Sequence, residues 1–439
     1  MRPVATLAVS VALPVALAVR VHNALTYPAH WGFDGTFVWA YIDALRQTWQ
    51  LPAPDAGWST SDPPLFYALA AALMDLLPAP ALMQWVSVLL GLGIAAITAR
   101  LVQRLAPADP GRAWLAAGLV LYLPAHVHMS AMVNKEMLAA FLGAAAVALV
   151  ADPARPTEAP RPALRRALGA GVAAGLALLT KLSGAITTLA CAAAYARDAL
   201  RRRDALARGL LCCALSGLVG GWWYARNRIE YGYFQPHGLP IHRMMFGMPP
   251  GVRSIGDYLS FPLATFTDPQ VLNPDLLRSV WGTTYASLWF DAHRFFLPTE
   301  SDGVRWLGGV TLVLALLPTA AFLAGLAGAL RRVARGDGES DMPLCALALL
   351  TLAGFAVYTW QNPWFAVVKG TSLLVLCLPY GVYASETLCR WMRRGRGAAL
   401  LIGASLLALA LCVVAGTTFQ GLFVRLENPG IHWQNPGTS

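Results

Sequence analysis

Long apolar runs, each about 15 to 25 residues and separated by short polar segments, recur along the whole chain, and a helix that crosses a bilayer needs about 20 such residues. Only 13% of the 439 residues are charged, whereas a soluble protein of this size has about 25%. We therefore predict an all-α polytopic membrane protein in which residues 1–439 form a single integral membrane domain.

The length of the apolar runs predicts about 11 transmembrane helices. Their predicted starts lie near Val4, Pro80, Ala113, Met137, Leu168, Leu182, Gly209, Trp306, Leu344, Val368 and Ala398. The first run follows Arg2 and is similar to a secretory signal peptide. Because many further spans follow it, we interpret this run as a retained signal-anchor helix.

Arginines are concentrated in alternate loops, which predicts how the chain is oriented. Loops on one predicted side contain arginine clusters such as 201–203 and 393–396. The short segments on the opposite side contain Arg46, Lys135, Lys181, Lys369 and Arg425. Cytoplasmic loops are enriched in Lys and Arg, so we predict a cytoplasmic N-terminus. The net charge of +10 then reflects topology and contact with membrane lipids, and we predict no nucleic-acid partner.

Two predicted outer segments are far longer than a connection requires. Residues 22–79 form the first extracytoplasmic loop, in which the periodicity from Asp34 to Trp49 and the Pro63-Pro64 start predict two amphipathic helices at the membrane surface. Residues 226–305 form a second loop that is rich in aromatic side chains. These aromatics indicate either an interfacial belt or a lid or groove that holds a lipid or sugar acceptor. His293 and Asp291 of this loop could contact such an acceptor.

Lysine is rare in this chain. Of its 33 basic residues, only Lys135, Lys181 and Lys369 are lysines, and all three fall at predicted outer ends of spans. An ammonium group is a compact charge that suits a phosphate oxygen, so the placement predicts a phosphate site at the outer face. The alternative is that each lysine simply extends toward the headgroup layer.

Several short motifs follow one another along residues 5–233. They are Phe33-Asp34 with Tyr41-Ile42, Pro63-Pro64-Leu65-Phe66-Tyr67, Val133-Asn134-Lys135-Glu136-Met137, Leu179-Thr180-Lys181-Leu182-Ser183-Gly184, and Gly221-Trp222-Trp223-Tyr224-Ala225-Arg226-Asn227 with Tyr231-Gly232. In this order they resemble landmarks of the GT-C membrane glycosyltransferases. The branch that they resemble most contains the dolichyl-phosphate-mannose-protein mannosyltransferase-like and lipid A aminoarabinose transferase-like bacterial proteins.

This resemblance implies a sugar donor carried on a polyprenyl phosphate. It also implies transfer of a hexose or pentose, with inversion, to a hydroxyl of a lipid, glycan or protein acceptor on the extracytoplasmic face of the bacterial inner membrane. The family's first-loop carboxylate maps onto Asp34, which becomes the candidate base for the acceptor hydroxyl. The leaving phosphate needs cationic partners. The candidate donor-phosphate ligands are Lys181, Lys369, Arg226 and Lys135, with Glu136, Asp62, Asn134 and Tyr67 as supporting residues.

The chain also departs from the family pattern. Family members often have a second acidic residue directly after the aspartate and a histidine shortly afterwards, whereas this chain has Gly35 and Val38 there. We therefore predict chemistry without a cofactor, although a divalent metal stays open as the less favoured alternative. The Arg-Tyr pair common before a late span is also absent, and Lys369-Gly370-Thr371 occupies that region.

Structural roles compete with the catalytic ones. Asp34 could cap the helix that follows it, Asp62 could belong to a turn, and Glu136 could stabilise a helix N-terminus. At the level of function, the alternatives are a lipid or solute transporter or flippase of the cell envelope, and a non-catalytic assembly subunit. Transporters usually place charges near mid-bilayer and contain inverted repeats, and the sequence shows neither.

Overall fold

The computed structural model describes residues 2–153, 159–235, 253–297 and 301–421, and all the regular elements within these ranges are helices. The first half of the chain forms α1 (Arg2–Thr26), α2 (Gly35–Thr48), α3 (Leu65–Leu76), α4 (Ala81–Leu105), α5 (Pro110–Leu121), α6 (Pro124–Ala131), α7 (Lys135–Ala151), α8 (Pro160–Thr180) and α9 (Gly184–Ala199). The prediction of an all-α polytopic chain is confirmed.

The second half begins with α10 (Arg203–Ser216), which continues through a π-helical turn (Gly217–Gly221) into α11 (Trp222–Tyr231). Four short helices follow in the aromatic loop, α12 (Ile255–Leu259), α13 (Ala264–Thr267), α14 (Pro274–Arg278) and α15 (Val280–Trp289). The chain then forms α16 (Asp302–Arg335), α17 (Asp341–Gln361), two 3₁₀ turns (Phe365–Val367 and Gly370–Leu376), α18 (Cys377–Met392) and α19 (Arg396–Thr417).

Each predicted span coincides with a helical segment. Among the described residues, 7 helices are long and apolar enough to cross a membrane: Ala81–Leu105, Arg161–Thr180, Arg203–Tyr231, Asp302–Arg335, Asp341–Gln361, Phe365–Met392 and Arg396–Thr417. The other predicted spans correspond to α1, to the pair α5 and α6, and to α7 and α9, which have 17 and 16 residues. Two predicted starts, near Leu168 and Gly209, lie too far along the chain. The helices α8 and α10 begin earlier, at Pro160 and Arg203, within the arginine-rich segments that precede the predicted starts.

The span predicted from Ala113 is broken into α5 and α6. Pro124 occupies the first turn of α6, and a proline cannot donate the backbone hydrogen bond that would continue α5. The fully buried Arg20 of α1 donates to the carbonyl oxygen of Leu121 (2.8 Å) and to Nδ1 of His126 (2.9 Å). Arg20, from a neighbouring helix, therefore donates a hydrogen bond to a carbonyl oxygen that lacks a helical partner because the helix is broken there.

Ion pairs join the helix ends on the predicted inner side. Glu386 of α18 accepts from Arg112 (3.3 Å), Arg332 (3.0 Å) and Arg390 (2.7 Å). Arg332 of α16 also pairs with Asp341 of α17 at 2.7 Å. One carboxylate thus connects α5, α16 and α18, so part of the arginine excess on this side is neutralised within the protein.

Two helices, α2 and α3, form within the predicted first outer loop, and they pack against each other. Tyr41 of α2 stacks on Tyr67 of α3 with ring centroids 4.2 Å apart. The buried face of α2 consists of Val38, Trp39, Tyr41, Ile42 and Leu45. Within residues 22–79, α2 and α3 therefore form a small helical layer at the predicted outer end of the bundle.

The described part of the aromatic loop, residues 226–235 and 253–297, lies at the same end. Tyr285 donates from its hydroxyl to the carbonyl oxygen of Leu312 in α16 at 2.7 Å. Trp289, Phe290 and Phe296 are buried, whereas Phe261 is 46% exposed. Much of this aromatic surface therefore packs inside the protein; Phe246 lies outside the described residues.

Candidate functional site

Asp34 precedes α2 but does not cap it with its side chain. Its backbone is left-handed, with φ 58° and ψ 18°, and the carboxylate makes no capping hydrogen bond. This conformation costs about 1–2 kcal/mol for a residue with a β-carbon, although aspartate tolerates it better than most. The carboxylate instead faces Lys369, whose Nζ lies 3.6 Å from Oδ2. Residues held in such a conformation cluster at functional sites.

The turn before α2 has no room for a side chain at position 35. A β-carbon added to Gly35 would lie 2.4 Å from the carbonyl oxygen of His30, which is far inside van der Waals contact. Position 35 is where members of the family that the sequence resembles often have a second acidic residue. This backbone therefore leaves Asp34 without a neighbouring carboxylate.

Lys369 reaches Asp34 from the irregular segment between α17 and α18. Gly370 packs so tightly that a β-carbon there would lie 2.4 Å from the backbone nitrogen of Leu288, and its own N–H donates to the Ser287 hydroxyl at 2.8 Å. The Lys369 Nζ lies 4.7 Å from the ring centroid of Phe33, within cation–π range. The span predicted to start near Val368 thus begins with 3₁₀ turns that position this lysine.

The electrostatic surroundings favour the ionised form of Asp34. Burial on its own would raise the pKa of this carboxyl, but the ammonium groups of Lys369 and Lys135 and a hydrogen bond from the Trp58 side chain lower the pKa below its ordinary value. Asp34 is therefore a carboxylate at neutral pH. An ionised carboxylate can accept a proton from a bound hydroxyl.

A second charged group lies between α3 and α7. Lys135 forms an ion pair with Asp62, and Asp62 also accepts a hydrogen bond from the Tyr67 hydroxyl at 2.9 Å. Burial, followed by the charge of Asp62, raises the pKa of Tyr67 well above its ordinary value. Tyr67 therefore remains a neutral hydrogen-bond donor to this carboxylate.

Asn134 connects these groups to the Asp34 turn. Its amide nitrogen donates to the carbonyl oxygen of Phe33 at 3.2 Å, and its side-chain oxygen accepts from the backbone N–H of Glu136 at 2.9 Å. The second bond caps the first turn of α7. The residue before Asp34 is thereby tied to the helix that contains Lys135 and Glu136.

The third lysine also pairs with a carboxylate. Lys181 Nζ donates to Glu136 Oε1 at 2.6 Å. Glu136 also lines a small groove of about 10 Å³, together with Ser183, Gly184 and Ser372. The polar mouth of this groove lies between α7, the start of α9 and the 3₁₀ turn after Lys369.

Arg226, near the end of α11, is the remaining candidate phosphate ligand. Its Nε lies 2.9 Å from Glu230 Oε2, and its Nη2 donates to the Tyr231 hydroxyl at 3.1 Å. Its Nη1 is buried without a hydrogen-bond partner among the described residues. Arg226 therefore retains one N–H group that a ligand could use.

Six of the predicted residues form three ion pairs at the predicted outer end, Asp34–Lys369, Asp62–Lys135 and Glu136–Lys181. The sequence did not predict that each lysine would be paired with a carboxylate. The sequence did not predict that Phe33 contacts both Lys369 and His293, or that the Trp58 side chain donates to Asp34. It offered His293 only as a possible acceptor contact, and nothing in it joined Trp58 to the site.

The buried Asp62–Lys135 pair gives a first testable prediction. The substitution Asp62→Asn leaves the Lys135 ammonium buried without its charge partner, and we expect a loss of about 3–5 kcal/mol in unfolding free energy. The double substitution Asp62→Leu with Lys135→Met removes both charges and should recover much of that loss. Thermal unfolding in detergent micelles measures the effect.

Asp75→Asn is the matched control, because it breaks the partly exposed pair between Arg46 and Asp75 (2.8 Å) in the same helical layer. Exposed pairs contribute about 0–1 kcal/mol. Equal destabilisation by Asp62→Asn and Asp75→Asn would contradict the structural importance of the buried pair.

Comparisons with known proteins support the fold. The model of the dolichyl-phosphate-mannose-protein mannosyltransferase family matches residues 79–228, a range that includes Lys135, Lys181 and Arg226 but not Asp34 or Lys369. A crystal structure of the Archaeoglobus fulgidus oligosaccharyltransferase in complex with Zn and sulfate has a TM-score of 0.56 at 16% identity. The predicted resemblance to the GT-C glycosyltransferases is confirmed at the level of the fold.

The structural match to the archaeal enzyme covers 94% of this chain and 53% of that chain, so the GT-C fold here spans about half the length of its relative. A second structure of that enzyme, tethered with an acceptor peptide containing the NVT sequon, has a TM-score of 0.54 at 13% identity and covers 93% of this chain and 55% of that one. None of the curated proteins matches the chain by sequence.

Proposed function

We propose that this GT-C protein transfers a sugar from a polyprenyl-phosphate donor to an acceptor hydroxyl at the extracytoplasmic face of the membrane. The observation that carries this proposal is the pair of Asp34 and Lys369, 3.6 Å apart at the outer end of the bundle. One residue offers a base and the other a cation for a phosphate. The match to a mannosyltransferase family that uses a lipid-phosphate sugar agrees with this chemistry.

Asp34 acts as the general base. Its carboxylate takes the proton of the acceptor hydroxyl while the acceptor oxygen forms a bond to the anomeric carbon of the sugar. The bond between that carbon and the phosphate oxygen breaks, and the electron pair leaves with the polyprenyl phosphate. A direct displacement of this kind inverts the anomeric configuration. The transferred sugar is a hexose or a pentose.

The cations stabilise the leaving phosphate. Negative charge develops on the phosphate oxygen as the bond breaks, and positioned cations lower the energy of that state. Lys369 is the first ligand because it already lies beside the base, and Lys181, Arg226 and Lys135 are the further candidates. Phosphate binding draws the Lys369 ammonium away from Asp34. The pKa of the Asp34 carboxyl then rises, which makes it a stronger base at the moment it is needed.

We propose that this transfer proceeds without a bound metal ion. Asp34 faces an ammonium group where a metal site would need a second ligand, and the backbone has no room for a side chain at Gly35. Within the described ranges, no group of three or more His, Cys, Asp or Glu residues could hold a metal ion. The residues around Asp34 therefore do not suit a divalent cation.

The proposed orientation places the N-terminus in the cytoplasm and the site outside the bacterial inner membrane. It rests on the charge distribution of the chain, since the arginine clusters joined through Glu386 lie at the opposite helix ends from Asp34. Cytoplasmic loops are the basic ones. The acceptor is a lipid, a glycan or a protein, and the archaeal relative solved with a tethered acceptor peptide illustrates the last kind.

A panel experiment tests the proposed function. The purified chain in proteoliposomes is incubated with a set of polyprenyl-phosphate sugars and envelope acceptors, and release of free polyprenyl phosphate is measured. We expect release with one donor class, dependent on acceptor and unaffected by a metal chelator. Binding of the lipid without release would favour a flippase or a non-catalytic assembly subunit, and loss of release with the chelator would contradict the metal-free mechanism.

A further inference from the structure

His293 lies in a turn that its own loop holds rigidly. The Asp291 carboxylate accepts hydrogen bonds from the backbone N–H groups of Phe295 (3.0 Å), Phe296 (2.6 Å) and Leu297 (2.8 Å). The backbone of Arg294 is left-handed, with φ 60°. The position of His293 is therefore fixed by local hydrogen bonds.

This turn places His293 against the same aromatic ring that Lys369 contacts. The His293 ring lies 5.1 Å from Phe33 in an edge-on contact, and the Lys369 Nζ lies 4.7 Å from the Phe33 centroid. Phe33 directly precedes Asp34. His293 and Lys369 therefore both contact the ring of the residue that precedes Asp34.

The imidazole of His293 is neutral at physiological pH. Burial and the nearby Lys369 ammonium lower its pKa to about 3, although the charge of Asp291 acts in the opposite direction. A neutral imidazole has one N–H donor and one acceptor nitrogen. It is suited to a neutral polar group, whereas a phosphate is better held by the adjacent lysine.

One nitrogen of this ring has no partner. The Nε2 atom is buried and makes no hydrogen bond to the described residues. Leaving a buried polar atom unpaired costs free energy, and such an atom at a site requires an explanation. A ligand that binds beside Asp34 and Lys369 would supply the missing bond.

We propose that Nε2 of His293 forms a hydrogen bond with a hydroxyl group of the bound substrate and so positions it beside Asp34. This inference rests on the proposed transferase function. The hydroxyl belongs either to the donor sugar or to the acceptor. His293 acts as a substrate-positioning residue and takes no proton in the reaction.

Two variants separate hydrogen bonding from packing. His293→Phe keeps an aromatic ring against Phe33 but removes both nitrogens, and His293→Gln keeps a polar nitrogen near the Nε2 position. With the donor and acceptor that the wild-type protein uses, we expect His293→Phe to lower kcat/KM about tenfold, as for one lost hydrogen bond, and His293→Gln to recover most of it. His30→Phe is the control, because His30 is exposed and only stacks on Trp39 at 4.8 Å.

The kinetic constants identify which hydroxyl is bound. A raised KM for the donor, with unchanged binding of bare undecaprenyl phosphate, assigns the contact to the donor sugar, and a raised KM for the acceptor assigns it to the acceptor. Wild-type kcat/KM in His293→Phe, or weaker binding of bare undecaprenyl phosphate, overturns the inference alone. A wild-type protein that turns over no donor overturns the proposed function and this inference with it.

Discussion

Asp34→Asn should reduce sugar transfer by about 10²–10⁴-fold, the usual contribution of a positioned general base. The amide has nearly the same shape as the carboxylate but cannot accept the hydroxyl proton. Asparagine also tolerates the left-handed backbone of position 34, so the turn before α2 should keep its conformation. Initial rates of polyprenyl-phosphate release in proteoliposomes measure the loss.

The control for this prediction is Asp43→Asn. Asp43 lies on α2, the helix that follows Asp34. Its side chain is 53% exposed and its contact with Arg46 is 3.5 Å long, so we expect wild-type rates in Asp43→Asn. Full activity in Asp34→Asn would refute the role of Asp34 as the general base.

The proposed extracytoplasmic location of the site can be tested by labelling. A cysteine is placed at exposed Gln50, just after α2. If it reacted with an impermeant reagent only after the cells were opened, the extracytoplasmic location would be refuted.

Lys369→Met should have the second large effect, a fall of about 10²–10³-fold in kcat, because the leaving phosphate loses its nearest cation. The same substitution should change the pH dependence. Lys369 lowers the pKa of Asp34 in the native protein, and the active form of the base is the carboxylate, which exists above that pKa. Without Lys369 the pKa of Asp34 in the free protein rises, so the acidic limb of the pH profile of kcat/KM, which reports the free protein, should move to higher pH.

Lys369→Arg separates charge from shape. It keeps the positive charge near Asp34, so its acidic limb should stay close to that of the wild type even if the bulkier guanidinium lowers the maximal rate. An acidic limb in Lys369→Met that stays in place or moves to lower pH would contradict the proposed coupling between the two residues.

The sequence placed the three lysines at span ends on one predicted side, because charge and hydropathy are local properties that can be read directly from the chain. Asp34 came from the family resemblance, which also gave the order of the motifs. The pairing of Lys369 with Asp34 could not be predicted, because it joins residues more than three hundred positions apart through an irregular segment. The periodic pattern after Val368 predicts only a helix, and it does not predict the 3₁₀ turns that position Lys369 beside Asp34.

The position of His293 could not be predicted for a related reason. It is set by a turn in which the Asp291 carboxylate accepts hydrogen bonds from three backbone N–H groups, and no pattern of residue types predicts such a turn. The break between α5 and α6 has a visible cause in Pro124, yet its partner Arg20 lies on another helix. Contacts between distant segments therefore account for most of what the sequence could not provide.

The crowded backbone at Gly35 limits how this protein can evolve. With the His30 carbonyl oxygen 2.4 Å from the place of a new β-carbon, a substitution of Gly35 by aspartate would force the turn to rearrange before the new acid gained any use. Ancestors or descendants that exploit paired acids at this point must therefore differ in the path of the loop as well as in one codon.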